Sequence, residues 1–186
     1  GFLRLSVGTG AGLVIGAYIP VQSATAAQAA ETADAVFNPF VTITPANKVI
    51  VLSKHLDKGQ GTATGLATLV ADELDADWSQ MVAEFAPANA ALYKNTFFGV
   101  QGTGGSTAIA NSWEQLRKAG ATARAMLVAT AAQRWNVPAA SLTVKGGVVA
   151  HAGSNRKATL GELAAAAASQ AVPADVKLKA PKDFTY

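Results

Sequence analysis

The chain contains no cysteine among its 186 residues. It therefore cannot hold a disulfide, a thiolate nucleophile, an iron–sulfur cluster or a cysteine zinc site, and any redox metal must arrive on a cofactor or a partner. Charge is scarce too: Asp, Glu, Lys and Arg make up 15% of the residues, against about 25% in an average soluble domain. The net charge is only +3 and Lys and Arg never stand more than two in a row, so the electrostatic footprint of a nucleic-acid wrapper is missing and no nucleic-acid partner is expected. What is present is 50% hydrophobic residues, which excludes intrinsic disorder and suffices for the core of one domain. A poorly charged, Ala- and Gly-rich chain of this kind reads as part of something larger.

The first residues, GFLRLSVGTGAGLVIGAYIP, carry one charge at Arg4 ahead of an apolar, Gly-rich run. That run is short for a membrane span and suits an export signal better. The block Phe2-Leu3-Arg4-Leu5 is similar to a twin-arginine export signal, and Ala24-Thr25-Ala26 offers a small-residue cleavage site. The expectation is a signal remnant and linker over residues 1–36, retained as a tether to the inner membrane or docked on the body as a short buried helix.

Hydrophobic periodicity places an α+β (mixed α/β) domain over residues 37–170. Val41–Thr44 and Lys48–Ser53 flank a Pro/Asn turn and read as a hairpin. The second strand aims at Gly59-Gln60-Gly61, and a helix over Thr62–Leu74, with Thr62 as cap, follows. Gln80–Phe85 reads as a strand. A second glycine loop, Gly102-Thr103-Gly104-Gly105-Ser106-Thr107, precedes a long helix whose stripe is Ile109, Trp113, Leu116, Gly120, Ala123, Leu127 and Ala131, stopping near Trp135 at Asn136 and Pro138. Ser141–Lys145 and Val148–His151 form a hairpin across Gly146-Gly147. Thr159 and Glu162 make a capping box for a helix over Leu160–Gln170. Residues 171–186, with Pro173 and Pro181, read as a connecting strap in a truncated chain.

Each glycine loop lies ahead of a helix whose free N–H groups and dipole favour an anion, so a phosphate-bearing ligand and plain tight turns are both open. Neither loop fits a P-loop or a complete dinucleotide fingerprint. The two histidines, His55 and His151, have no partner motif of a hydrolase. His55 is expected to order the Gly59 loop and His151 to lie on the surface. Glu73, Asp75 and Asp77 lack calcium-loop spacing and read as a solvated helix end. Trp113 and Trp135 are expected in the core, and Trp78 at the start of a strand.

Two stretches carry a family resemblance: HLDKGQGTATGLATLVADEL at residues 55–74, and EFAPANAALYKNTFFGVQGTGGSTAIANSWEQLRKAGATARAML at residues 84–127. They resemble the molybdenum-binding subunits of the xanthine oxidase class, most closely the isoquinoline 1-oxidoreductase beta-subunit and periplasmic aldehyde dehydrogenase group. The resemblance runs along essentially the whole chain. It implies a molybdopterin cytosine dinucleotide cofactor, with Gly59, Gln60 and Gly61 at the pterin or its phosphates. By the same resemblance Thr103, Gly104, Gly105, Ser106 and Thr107 line the cofactor, with Gly105 near the metal. It further implies oxidation of an aldehyde or N-heterocycle in the periplasm. Electrons would leave to an iron–sulfur subunit and a cytochrome c subunit carrying haem. Family members are several times longer, and their catalytic glutamate lies near the far C-terminus, with no counterpart here. Glu73, Glu84, Glu114 and Glu162 are not assigned that role, and the remainder of the molybdenum subunit is an expected partner. The alternative is a non-catalytic exported assembly domain with structural glycine turns.

Overall fold

The computed structural model describes residues 34–186 and, ahead of them, the strands β1 (Arg4–Ser6) and β2 (Val14–Gly16). The chain divides into two units, Gly1–Ala30 and Glu31–Tyr186. In the first, β1 and β2 pair antiparallel, Leu5 opposite Ile15. The expected export signal, its cleavage site and the docked helix otherwise fall outside the described residues. Among the described residues no helix is long and apolar enough to cross a membrane.

The second unit opens with β3 (Ala35–Asn38), β4 (Val41–Ile43) and β5 (Val49–Ser53), then α1 (Thr62–Leu74) and β6 (Met81–Phe85). These strands form one sheet in the order β3-β4-β5-β6, antiparallel twice and then parallel. A parallel neighbour needs a crossover, and α1 supplies it. The β5–α1 connection therefore lies beyond the carboxyl end of β5. After a short turn α2 (Ala90–Tyr93) comes α3 (Ala108–Trp135), then the meander β7 (Leu142–Lys145), β8 (Val148–His151) and β9 (Arg156–Thr159), and finally α4 (Leu160–Ala168). The α+β class follows from this arrangement.

Local chemistry explains most boundaries. β-branched residues alternate inward along β5, where Val49 and Val51 are buried with Ile43 of β4. Asn136, in left-handed conformation at φ 53°, ends α3. Thr159 accepts from the Glu162 amide and the Glu162 carboxylate accepts from the Thr159 amide, so the capping box opens α4, which ends at Ala168 rather than Gln170. The Thr159 bonds hold the Glu162 carboxyl below the usual carboxylate range. Thr62 does not cap α1: that place belongs to Gly61, at φ 77°.

The core lies where α1 and α3 cross beneath the sheet. Leu66, Val70 and Leu74 from α1 meet Leu116, Ala123 and Leu127 from α3, all fully buried, and each large side chain contributes about 1.5–3 kcal/mol. The crossing is tight at Gly120, where an added Cβ would lie 2.9 Å from the Val70 carbonyl oxygen and 3.1 Å from Glu73 Cβ. Backbone meets helix there without an intervening side chain.

Three expectations need correction. Ile109 and Trp113 belong to the stripe by spacing, yet they are 37% and 41% exposed, Ile109 covering Gly65 of α1 with one face of its side chain. Trp113 instead lies against Phe184 of the strap and the Arg117 guanidinium. Glu73 and Asp75 are not a solvated helix end. Glu73 is buried and pairs with Arg117 at 2.6 Å, while Asp75 pairs with Arg124 and Lys179. Asp77 caps the 3-10 turn Trp78–Gln80 that precedes β6. Trp78 is 41% exposed there and packs on Tyr186. Trp135 is buried, as expected.

Candidate functional site

β5 ends at the buried Ser53, and the two residues that follow, Lys54 and His55, are buried as well. The Ser53 hydroxyl donates to the His55 carbonyl at 2.7 Å, which turns the chain out of the sheet. Lys54 has no carboxylate partner among the described residues. Its ammonium donates to Gln115 Oε1 at 2.7 Å and to the Lys94 carbonyl at 3.3 Å, and burial lowers its pKa.

His55 is the link between the glycine loops. Its Nδ1 faces the Gly102 carbonyl at 3.2 Å, and next to it the Leu56 amide donates to Thr103 Oγ1 at 2.9 Å. Sequence reading had assigned His55 to the Gly59 loop; the structure ties it to the second loop. Burial pushes its pKa down, the Lys54 charge adds to that, and hydrogen bonding to Gly102 and Asn111 opposes it. Below about pH 6.5 an unfolded histidine takes up a proton that the folded one still refuses. Stability is therefore fully present above that pH and falls as pH drops toward the lower folded value. We expect the wild-type protein to lose stability between pH 7 and 5, by at most about 1.4 kcal/mol per pH unit from this group. His55→Gln should flatten that dependence in denaturant titrations, and an unchanged slope would remove His55 from the account.

The first loop closes on itself. The Asp57 carboxylate accepts from the amides of Gly59 at 2.8 Å, Gly61 at 3.3 Å and Ala63 at 2.9 Å. These bonds, that from Ala63 foremost, hold its pKa below the usual carboxylate value. The N-terminus of α1 thus already carries an anion of the chain's own. The Gln60 amide is also engaged, accepting from the Lys58 amide at 2.6 Å and donating to Leu56 O and Thr62 Oγ1. Gly59 and Gly61, at φ 99° and 77°, supply the backbone turns this requires.

The second loop is built in the opposite sense. No side chain caps α3. The Thr107 hydroxyl turns back to donate to Gly104 O at 2.8 Å and accepts from Asn95 Nδ2 at 2.9 Å. Gly105 and Ser106 both adopt left-handed backbone, φ 58° and 55°. The open helix end faces a cavity of about 200 Å³ lined by Lys58, Gln60, Thr103, Gly104, Ser106, Thr107 and Ala108. Five of the eight residues singled out from sequence are thereby brought to one wall; Gly59, Gly61 and Gly105 shape the loops without lining it. On the other side of Thr103 lies a cavity of about 370 Å³, bounded by Lys54, His55, Leu56, Phe85, Gln101 and their neighbours. None of Glu73, Glu84, Glu114 and Glu162 lines either cavity. Sequence reading missed Asp57, Lys54 and Lys58. Asp57-x-Gly59 is an Asx-turn signal that could have exposed the first.

The profile of the family described as "Molybdopterin cofactor-binding domain" matches residues 6–185. The chain is 42% identical over 129 residues to the isoquinoline 1-oxidoreductase subunit beta of Brevundimonas diminuta, covering 69% of this chain and 16% of that protein. It is 29% identical over 122 residues to a membrane-bound aldehyde dehydrogenase [pyrroloquinoline-quinone] of Gluconacetobacter polyoxogenes, covering 64% and 15%. In fold it is similar to quinoline 2-oxidoreductase from Pseudomonas putida 86, with a TM-score of 0.52 at 24% identity over 68% of this chain and 15% of that one. The chain thus spans about a sixth of the length of the curated relatives it matches. With nearly every residue inside the family profile, the chain belongs to the molybdopterin cofactor-binding domain family.

Proposed function

We propose that the chain is the cofactor-binding part of a periplasmic molybdenum hydroxylase or dehydrogenase that oxidises aldehydes or N-heterocycles and passes electrons to an iron–sulfur partner. The observation that carries this reading is the uncapped N-terminus of the 28-residue helix α3, open to a cavity edged by Lys58, Ser106 and Thr107. Free amides at a helix start, a positive dipole end, an ammonium and the Ser106 hydroxyl suit the phosphates of a dinucleotide cofactor. The α1 end does not fit the same task, since Asp57 already occupies its amides. In this reading Gly104–Thr107 and the first turn of α3 hold the phosphate groups of a molybdopterin cytosine dinucleotide. Thr103 stands between that cavity and the larger one. His55 holds the Gly102 carbonyl and hence the loop's path, and the closed Gly59–Gly61 loop forms a wall. When bound, the cofactor supplies the two-electron oxidation of the substrate. The relatives' printed names, isoquinoline 1-oxidoreductase and aldehyde dehydrogenase, support the two substrate classes, and "membrane-bound" in the second supports an inner-membrane association. The catalytic glutamate, the iron–sulfur clusters and any haem belong to the remainder of the molybdenum subunit, the iron–sulfur subunit and a cytochrome c subunit.

A second reading, a non-catalytic assembly domain, draws on the self-satisfied Gly59–Gly61 loop. Elemental and nucleotide analysis of the native protein containing this chain separates the two. About one molybdenum and one cytidine monophosphate per copy are expected on the proposal. Absence of both from the intact protein would return the glycine loops to plain turns.

A further inference from the structure

The strand edges of the second unit are not treated alike. β9, an edge of the meander, carries the charges of Arg156 and Lys157, and β3 is broken by a register shift between Val36 and Asn38. Both devices discourage another strand from adding. β6 has neither. It is paired only with β5, in unbroken register from Met81 to Phe85, without proline and with Glu84 as its one charge. Its last three residues, Ala83, Glu84 and Phe85, are exposed.

The hydrogen-bond phase of β6 can be read from its end. The Ala86 amide donates to Ser53 O at 2.9 Å, and alternation along a strand turns the amides of Val82 and Glu84 the same way, toward β5. The N–H and C=O groups of Met81, Ala83 and Phe85 therefore point away from the sheet. The Met81 amide is taken by the Trp78 carbonyl of the preceding 3-10 turn, while among the described residues no backbone group receives those of Ala83 and Phe85. The strand itself ends in exposed apolar surface, Phe85 being 52% exposed. Phe85 also borders the 370 Å³ cavity that meets the candidate cofactor cavity at Thr103. An unguarded edge that ends in an exposed apolar side chain is the surface that strand addition uses: main-chain bonds give affinity and alternate side chains fill the flanking surface.

We propose that β6 receives an extended, apolar segment from the remainder of the molybdenum subunit, extending the four-stranded sheet by one strand and closing the larger cavity. The occupant follows from length. The relative that matches 69% of this chain is about four times its length, so most of the polypeptide that accompanies this fold in that protein lies outside it. This inference rests on the cofactor-binding reading above.

Residue-resolved amide hydrogen exchange tests it, comparing the 186-residue chain alone with the native molybdenum protein that contains it. The amides of Ala83 and Phe85 should exchange about tenfold or more slowly in the native protein. Ala83→Pro removes one outward donor and leaves the β5 ladder intact. It should lower the melting temperature of the native protein and leave that of the isolated chain unchanged, and Phe85→Glu should do the same. Equal exchange in both forms overturns the proposal. So does protection already present in the isolated chain: if it grows with concentration the occupant is a second copy, and if it is independent of concentration the occupant is residues 1–33. Molybdenum present with an unprotected β6 sinks this inference alone. The cofactor reading stands or falls on the elemental analysis, whichever way β6 exchanges.

Discussion

Gly105→Val is expected to strip molybdenum and cytidine monophosphate from the native protein to below about a tenth of the wild-type content while the domain remains folded. Gly105 stands at φ 58°, where a β-branched residue is a conformational outlier. Left-handed backbone costs an ordinary residue roughly 1–2 kcal/mol, equivalent to about 2–8 °C in Tm for a domain of this size. A Cβ itself would find only ordinary contacts, 3.6 Å from Phe98 and 3.7 Å from Thr107. The strain is thus local and survivable, and its effect falls on the path of Gly104 to Thr107, the wall that faces the cavity. Strain and ligand loss are separated by Lys58→Glu. Lys58 is exposed, so folding should be indifferent to the change, yet the cavity rim would exchange an attractive charge for a repulsive one. Both variants should lose cofactor, and only the first should lose stability. Wild-type molybdenum content in Lys58→Glu would mean that the open end of α3 is not where phosphate binds.

Arg117→Met should be the most damaging single substitution for stability, by about 3–5 kcal/mol, because it leaves Glu73 buried without its counter-charge. The pair is 2.6 Å apart with side chains 10% and 2% exposed. Glu73 also accepts from the Lys179 amide at 3.1 Å, and Arg117 donates to the Lys179 carbonyl at 2.5 Å. The guanidinium sits 5.3 Å from the centroid of Trp113 and 5.0 Å from that of Phe184. One cation therefore holds α1, α3 and the strap together. Adding Glu73→Leu should recover most of the loss, since a buried apolar pair has no charge to desolvate. Urea titrations of the two variants decide the matter. If the double variant is as unstable as the single one, packing around the rings, and not the unpaired carboxylate, sets the cost.

The strap shows why part of this structure could be read ahead and part could not. The hairpin across Gly146-Gly147, the stop at Asn136 and the capping box at Thr159 each depend on residues within four positions of one another, and each stands as expected. Glu73 with Arg117, and Asp75 with Lys179, are separated by 44 and 104 positions. Nothing in a helical period announces such pairs, so a run of acids read as a solvated end. The same limit applies to the site. The two glycine loops stood out by composition, and their side-by-side placement came with the family resemblance. Their unequal roles did not, because they turn on Asp57 reaching six residues ahead to the Ala63 amide and on α3 lacking any equivalent.

The spacing of those loops has its mechanical origin in two points where α1 and α3 touch. At Gly120 the backbone of one helix lies against the Val70 carbonyl, and at Gly65 an added Cβ would lie 2.8 Å from Ile109 Cδ1. The second point is about 5 Å along α1 from its start, at about 1.5 Å per residue, so the glycine loops emerge from two helices already clasped at their base. A beam fixed at two points cannot pivot: a methyl group added at residue 120 would strain the crossing, while the loops keep the spacing that the Gly65 contact holds.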